Sequence, residues 1–96
     1  MTPESFKASL QDAAPPTGAS VPLQALWHAA RDEWDTAHGL AQSDEGKDAA
    51  WVHAHLHRIE GGLANAGYWY ARADRPASDA ALEAEWAEIV GAIVGR

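Results

Sequence analysis

Residues 51–73 read WVHAHLHRIEGGLANAGYWYARA, and this segment predicts two helices joined by a glycine corner. Its first half carries apolar residues at the three- and four-residue spacing of one helix face, at Val52, Leu56 and Ile59. The pair Gly61-Gly62 ends that helix, because glycine readily adopts the left-handed conformation found at many helix C-termini. A second apolar face follows, formed by Leu63, Ala66, Tyr70 and Ala73. The segment therefore predicts a helical hairpin.

The rest of the chain also predicts helices with short breaks between them. A short helix is expected from Thr2 to about Asp12, and the proline- and glycine-containing residues 15–20 interrupt it. The main body then begins near Val21, and the last helix carries an inward stripe at Leu82, Trp86, Ile89, Val90 and Ile93. Its acids are expected to lie in solvent, at Glu83, Glu85 and Glu88. No segment alternates with a period of two, so the fold class is all-α, with residues 1–20 as a loosely attached arm and linker and 21–96 as one helical domain.

Composition excludes several classes of function. The 96 residues contain no cysteine, which rules out disulfides and thiolate metal sites. No apolar run approaches the roughly 20 residues that a bilayer-spanning helix needs. The formal net charge of −7, with few and scattered basic residues, argues against nucleic acid as a partner. A cytoplasmic protein is expected.

Two parts of the chain resemble the tetratricopeptide helix pair. Residues 26–38 and 56–68 share the same outline, a helix followed by a tight corner and a second helix. Aligning Ala37 with Ala66 gives a period of 29 residues, shorter than the roughly 34 of that repeat. The resemblance implies stacked antiparallel helix hairpins, closed by a C-terminal capping helix.

A second resemblance covers residues 34–76 and rests on a longer pattern. The segment from Trp51 to Ala73 is similar to a family of small uncharacterised bacterial helical proteins with a WVHAxLHRxEGDxxNAxYWYxRA signature. Gly62 stands here in place of the family's aspartate. The resemblance implies a helical fold and assigns no activity.

A metal site is one hypothesis for the first helix of the hairpin. His53, His57 and Glu60 fall within about 60° of one another around the helix axis. Two imidazoles one turn apart, with a carboxylate one turn further on, suit zinc, nickel or ferrous iron. His38 or Glu33 from the preceding helix would add a further ligand. The alternative is structural: these histidines bond neighbouring carbonyl groups, and Glu60 pairs with a nearby residue.

A protein-binding surface is the other hypothesis. If the helix is outermost, Trp51, His55 and Arg58 form an exposed stripe on the side opposite His53 and His57. The alternative for Trp51 is a core position with Arg58 lying over it.

The aromatic run 68–70 supports the binding hypothesis. Three consecutive aromatic residues on a helix point in three directions, so at least one of them lies at a surface or contact. Tyr70 is expected in the core, whereas Tyr68 and Trp69 share their sides of the helix with Arg72. Aromatic residues and arginine are enriched in binding hot spots.

The sequence therefore predicts a non-catalytic protein-interaction module without a cofactor, whose partner is another protein or a second copy of the chain in a homodimer. Its expected contact residues are Trp51, His55, Arg58, Tyr68, Trp69 and Arg72. The alternative is a protein that binds a divalent transition metal through His53, His57 and Glu60, with metal-dependent catalysis as an extension. No cysteine nucleophile or glycine-rich phosphate loop indicates another reaction.

Overall fold

The computed structural model describes all 96 residues and contains six α-helices and no strand. The helices are α1 (Pro3–Ala8), α2 (Val21–Ala30), α3 (Trp34–Gln42), α4 (Lys47–Ile59), α5 (Leu63–Ala73) and α6 (Leu82–Ile93), with a 3-10 turn at Ser9–Gln11. The predicted all-α class is confirmed. None of these helices combines the length and the apolar character that crossing a membrane requires.

Helix α4 lies at the centre of the molecule. It packs against α2, α3, α5 and α6, and every residue from position 49 to 57 is buried. The exposed stripe predicted for Trp51 and His55 if this helix were outermost is therefore wrong, and the alternative core position of Trp51 is confirmed, although Arg75 and not Arg58 lies over its ring. The three histidines of α4 suggested that only one face of this helix would be buried. In the structure each side of α4 packs against a different helix.

The glycine corner after α4 forms as predicted, whereas other helix ends differ. Gly61 has a φ of +85°, the left-handed conformation expected after a helix. Asp74 closes α5 with a φ of 59°. The last helix begins only at Leu82, and residues 75–81 connect it to α5 without regular secondary structure.

The N-terminal segment is part of the core. Phe6 is fully buried and stacks on Trp86 of α6, with ring centroids 5.9 Å apart. The Arg31 guanidinium donates hydrogen bonds to the carbonyl groups of Leu10 and Asp12, at 2.6 and 3.2 Å. The loosely attached arm expected from residues 15–20 is thus firmly docked.

Three indole N–H groups tie separate segments together. Trp27 donates to the Ser9 carbonyl at 3.2 Å, Trp34 to the Leu56 carbonyl at 2.7 Å and Trp86 to the Leu26 carbonyl at 2.8 Å. A buried indole N–H needs an acceptor, so each bond also fixes the orientation of its ring. Much of the chain is Ala, and these large side chains fill the space between its helices.

Glu85 is the clearest departure from the sequence-based expectation. It was expected in solvent, but it is only 1% exposed. Its carboxylate accepts hydrogen bonds from His55 Nδ1 at 2.7 Å, from Arg58 Nη1 at 2.8 Å and from the Tyr70 hydroxyl. Burial by itself would raise the pKa of Glu85, but these three hydrogen bonds outweigh it and lower the pKa to about 2.

Replacing Glu85 tests this buried network. We expect Glu85→Gln to lower the free energy of unfolding by about 2–4 kcal/mol, because Arg58 loses its counter-ion while remaining largely buried. The matched change Glu88→Gln, at an exposed position of the same helix, should cost less than about 0.5 kcal/mol. Urea unfolding measures both, and equal effects would contradict the network's role.

Candidate metal centre

Helices α3 and α4 bring three imidazoles together. His38 lies on α3, while His53 and His57 lie one turn apart on α4. One nitrogen from each ring lies within 4.8 Å of the other two, and the Nε2 atoms of His38 and His53 are 3.0 Å apart. Nitrogens bound to one tetrahedral zinc ion are about 3.3 Å apart, given zinc–nitrogen bonds of about 2.0–2.1 Å. The three rings therefore stand close to the spacing that a metal requires.

Glu60 lies behind this cluster rather than in it. Its Oε1 atom is 2.5 Å from Nδ1 of His57, so it does not join the group of converging nitrogens. Glu60 is the cap residue at the end of α4, where the chain turns toward the Gly61-Gly62 corner. A carboxylate on the far nitrogen of a histidine fixes the ring and leaves Nε2 free as a ligand.

Two indoles enclose the imidazoles. The Trp34 ring is stacked on His38 at a centroid distance of 4.7 Å, and the Trp69 ring is stacked on His53 at 3.7 Å. Trp34 is itself anchored, since its N–H donates to the Leu56 carbonyl. Helices α3, α4 and α5 thus all contribute to the orientation of the cluster.

The electrostatic environment keeps His53 neutral. Burial, together with the nearby His38 and His57, lowers the pKa of His53 to about 4. A neutral imidazole has a lone pair to offer a metal, so no proton needs to be displaced from His53 at pH 7. Its Nδ1 atom is buried without a hydrogen-bond partner.

The residues predicted as metal ligands are only partly brought together. His53 and His57 are joined by His38, which the sequence offered as one of two possible additions. Glu33, the other, lies elsewhere and pairs with His28 at 2.9 Å and with Arg31 at 3.6 Å. Glu60 was predicted as a direct ligand, but it is not among the converging groups, and its Oε1 contacts Nδ1 of His57 instead.

The residues predicted for protein binding divide between the interior and the surface. Trp51 is buried beneath the Arg75 guanidinium, which lies 3.9 Å from its ring centroid. His55 and Arg58 are engaged with Glu85. On α5, Tyr68 is 56% exposed and its hydroxyl accepts a hydrogen bond from Arg72 at 3.1 Å, whereas Trp69 is half-buried against His53.

Sequence reasoning missed Glu85 and Trp34. Glu85 occupies the same stripe of α6 as Leu82, Ile89 and Ile93, and a carboxylate on an apolar face is a signal for a buried ion pair. For Trp34 the signal is its spacing, because Trp34 and His38 are four residues apart on α3 and therefore lie on the same side of that helix.

Comparison of the chain with protein-family models, with curated proteins and with solved structures found no match.

The stability of the metal-free protein should depend on the charge state of His53. The unfolded chain binds a proton there with a pKa of 6.5, whereas the folded chain does so only near pH 4. Acid therefore favours unfolding. The contribution of neutral His53 to the free energy of unfolding is complete above pH 6.5 and decreases by about 2 kcal/mol between pH 6.5 and 4.5.

Urea unfolding across that range, on the native chain and on His53→Gln, isolates the effect. We expect the native chain to lose stability more steeply than the variant as the pH falls. Parallel curves would contradict the assignment of this pH dependence to His53. Measurements stop at pH 4.5 because the lowered pKa of Glu85 adds its own acid sensitivity below that value.

Proposed function

We propose that the protein binds a divalent transition metal through His38, His53 and His57. The observation that carries this proposal is the convergence of one nitrogen from each of three imidazoles within 4.8 Å. Glu60 supports the site through Nδ1 of His57, as carboxylates commonly do for metal-bound histidines.

The contact between His38 and His53 supports a metal more strongly than a purely structural role. Two Nε2 atoms 3.0 Å apart must share a proton, because two lone pairs facing each other repel. A shared proton joins only those two Nε2 atoms, and Nε2 of His57 makes no hydrogen bond within the protein. One cation can bind a nitrogen of all three rings at once.

The donor set favours zinc and its neighbours in the first transition series. Imidazole nitrogen suits zinc, copper, nickel and iron, whereas calcium and magnesium prefer oxygen ligands. Three histidines leave a fourth tetrahedral position for water, which is the arrangement of catalytic zinc sites. The residue half-exposed to solvent is His38, so this position is expected on its side of the cluster.

A second candidate function is protein association through the outer face of α5. This helix packs chiefly against α4, which leaves Tyr68 exposed. Arg72 lies over the Tyr68 and Trp69 rings, at 5.9 and 5.3 Å, so the aromatic–arginine surface is preformed. Of the residues predicted for protein binding, those on α5 are the ones that remain at the surface. This surface would bind a second copy of the chain, in a homodimer, or another protein.

Metal titration of the tag-free protein tests the first function. We expect one Zn²⁺ per chain by calorimetry, and a tetrahedral visible spectrum with Co²⁺. Zn²⁺ at 100 times its Kd should stabilise the fold by about 2.7 kcal/mol. His38→Ala removes one ligand from a half-buried position and should abolish this stabilisation.

Two matched variants sharpen the test. His28→Ala removes a histidine that pairs with Glu33 outside the cluster, and it should leave the zinc affinity unchanged. Glu60→Gln should weaken binding by roughly 10- to 100-fold if the carboxylate supports His57 without touching the metal. No zinc uptake, or uptake unaffected by His38→Ala, would overturn the proposal.

Tyr68→Ala tests the second function. If α5 forms a homodimer contact, this change should raise the dimer dissociation constant about tenfold or more, measured by sedimentation equilibrium. Trp69→Ala is unsuitable because Trp69 also stacks on His53 and would disturb the metal centre. Leu82→Ala, an exposed apolar position on another helix, is the control. A monomeric native chain would exclude the homodimer.

A further inference from the structure

An apolar groove lies on the side of α4 away from the three-histidine cluster. It has a volume of about 380 Å³ and is bordered by the N-terminal segment, α2, α4 and α6. Most of its lining is apolar, including Leu10, Ile59, Leu82, Trp86 and Ala87, and the polar lining residues are His55 and the charged Lys7 and Glu83. This volume and lining are those of sites that hold small organic molecules.

Two side chains expected in the core are exposed at this groove. Ile59 and Leu82 are 38% and 39% exposed, although each continues the apolar stripe of its helix. They remain accessible because no other side chain fills the space between them. Filling the groove would remove this apolar surface from water, at about 25 cal/mol per Å².

His55 gives the groove a built polar anchor. The residue is 2% exposed and lines the groove. Its Nδ1 atom is bonded to Glu85 at 2.7 Å, whereas Nε2 has no hydrogen-bond partner in the protein. Nε2 is also not enclosed, since the one buried side-chain atom lacking a partner is Nδ1 of His53. Nε2 is therefore the atom that His55 offers to the groove.

The contacts of Glu85 bear on whether His55 Nε2 donates or accepts a hydrogen bond. Glu85 is a carboxylate that already faces the Arg58 guanidinium, so the pair is balanced in charge. Because a carboxylate oxygen only accepts, His55 donates its Nδ1–H to Glu85, and Nε2 is the ring nitrogen left over. In the neutral tautomer that nitrogen is a hydrogen-bond acceptor. The groove thus presents His55 Nε2 as a polar atom beside apolar side chains, and Glu83, the other lining residue with an acceptor, is exposed to solvent.

We propose that this groove binds a small, largely apolar molecule carrying one hydroxyl group, of the phenol class, whose O–H donates to His55 Nε2. The hydrocarbon part lies against Ile59, Leu82 and Trp86. The hydroxyl provides specificity, because an isostere without a donor leaves the buried nitrogen unpaired. The proposal is independent of the metal site, which uses other faces of α4.

A matched pair of probes tests the proposal on the full chain in EDTA. 4-Ethylphenol and 4-ethylanisole differ in whether their oxygen donates a hydrogen bond. We expect 4-ethylphenol to bind about fivefold more tightly or better, with NMR shifts at the Ile59 and Leu82 methyl groups. Equal affinities, or shifts confined to other residues, would overturn the proposal.

Two variants of α6 control for binding elsewhere. Ala87→Phe places a ring in the groove and should weaken 4-ethylphenol binding at least tenfold. Ala84→Phe adds the same ring at an exposed position outside the groove and should leave the affinity unchanged. Both positions are exposed, so both variants are expected to fold. Unchanged binding by Ala87→Phe would place the ligand elsewhere and contradict the assignment. Because EDTA removes metal, failure here says nothing against the three-histidine site, and the reverse holds too.

Discussion

The enclosure of α4 is the constraint on which the other features depend. Nine consecutive residues of this helix are buried, and three of them are histidines. A buried polar group needs a partner, and His57 finds one at the end of its own helix, Glu60, whereas His53 and His55 are bonded to residues of other helices. His53 and His57 face α3 and α5, where His38, Trp34 and Trp69 surround them. His55 turns to α6 and finds Glu85. Because His53 and His57 lie on one side of α4 and His55 on the other, the three-histidine cluster and the Glu85 network are separate polar environments.

The sequence predicted the local structure well and the surroundings of α4 less well. The fold class, the glycine corner at Gly61 and the pairing of His53 with His57 follow from spacing alone. Helical spacing specifies the relative direction of residues within one helix, but it does not specify how many neighbours that helix has. Trp51 and His55 were therefore assigned to a surface that the fold covers.

Contacts between distant segments account for the other differences. Glu85 comes 30 residues after His55, and nothing local in the sequence fixes their approach. The docking of Phe6 against Trp86 joins opposite ends of the chain, across the proline-containing residues 15–20 that predict a linker. Ile59 and Leu82 show the reverse case: their spacing is that of core residues, but no side chain elsewhere in the chain covers them.

The stacking of Trp69 on His53 and of Trp34 on His38 has an optical consequence. Imidazolium cations and open-shell metal ions quench an excited indole at contact distance, whereas a neutral imidazole does so weakly. The other three indoles lie away from the cluster, two of them bonded to backbone carbonyl groups. The fluorescence of Trp34 and Trp69 therefore responds to protonation of the stacked imidazoles or to a metal ion bound to them, and it reports on the cluster without an added label.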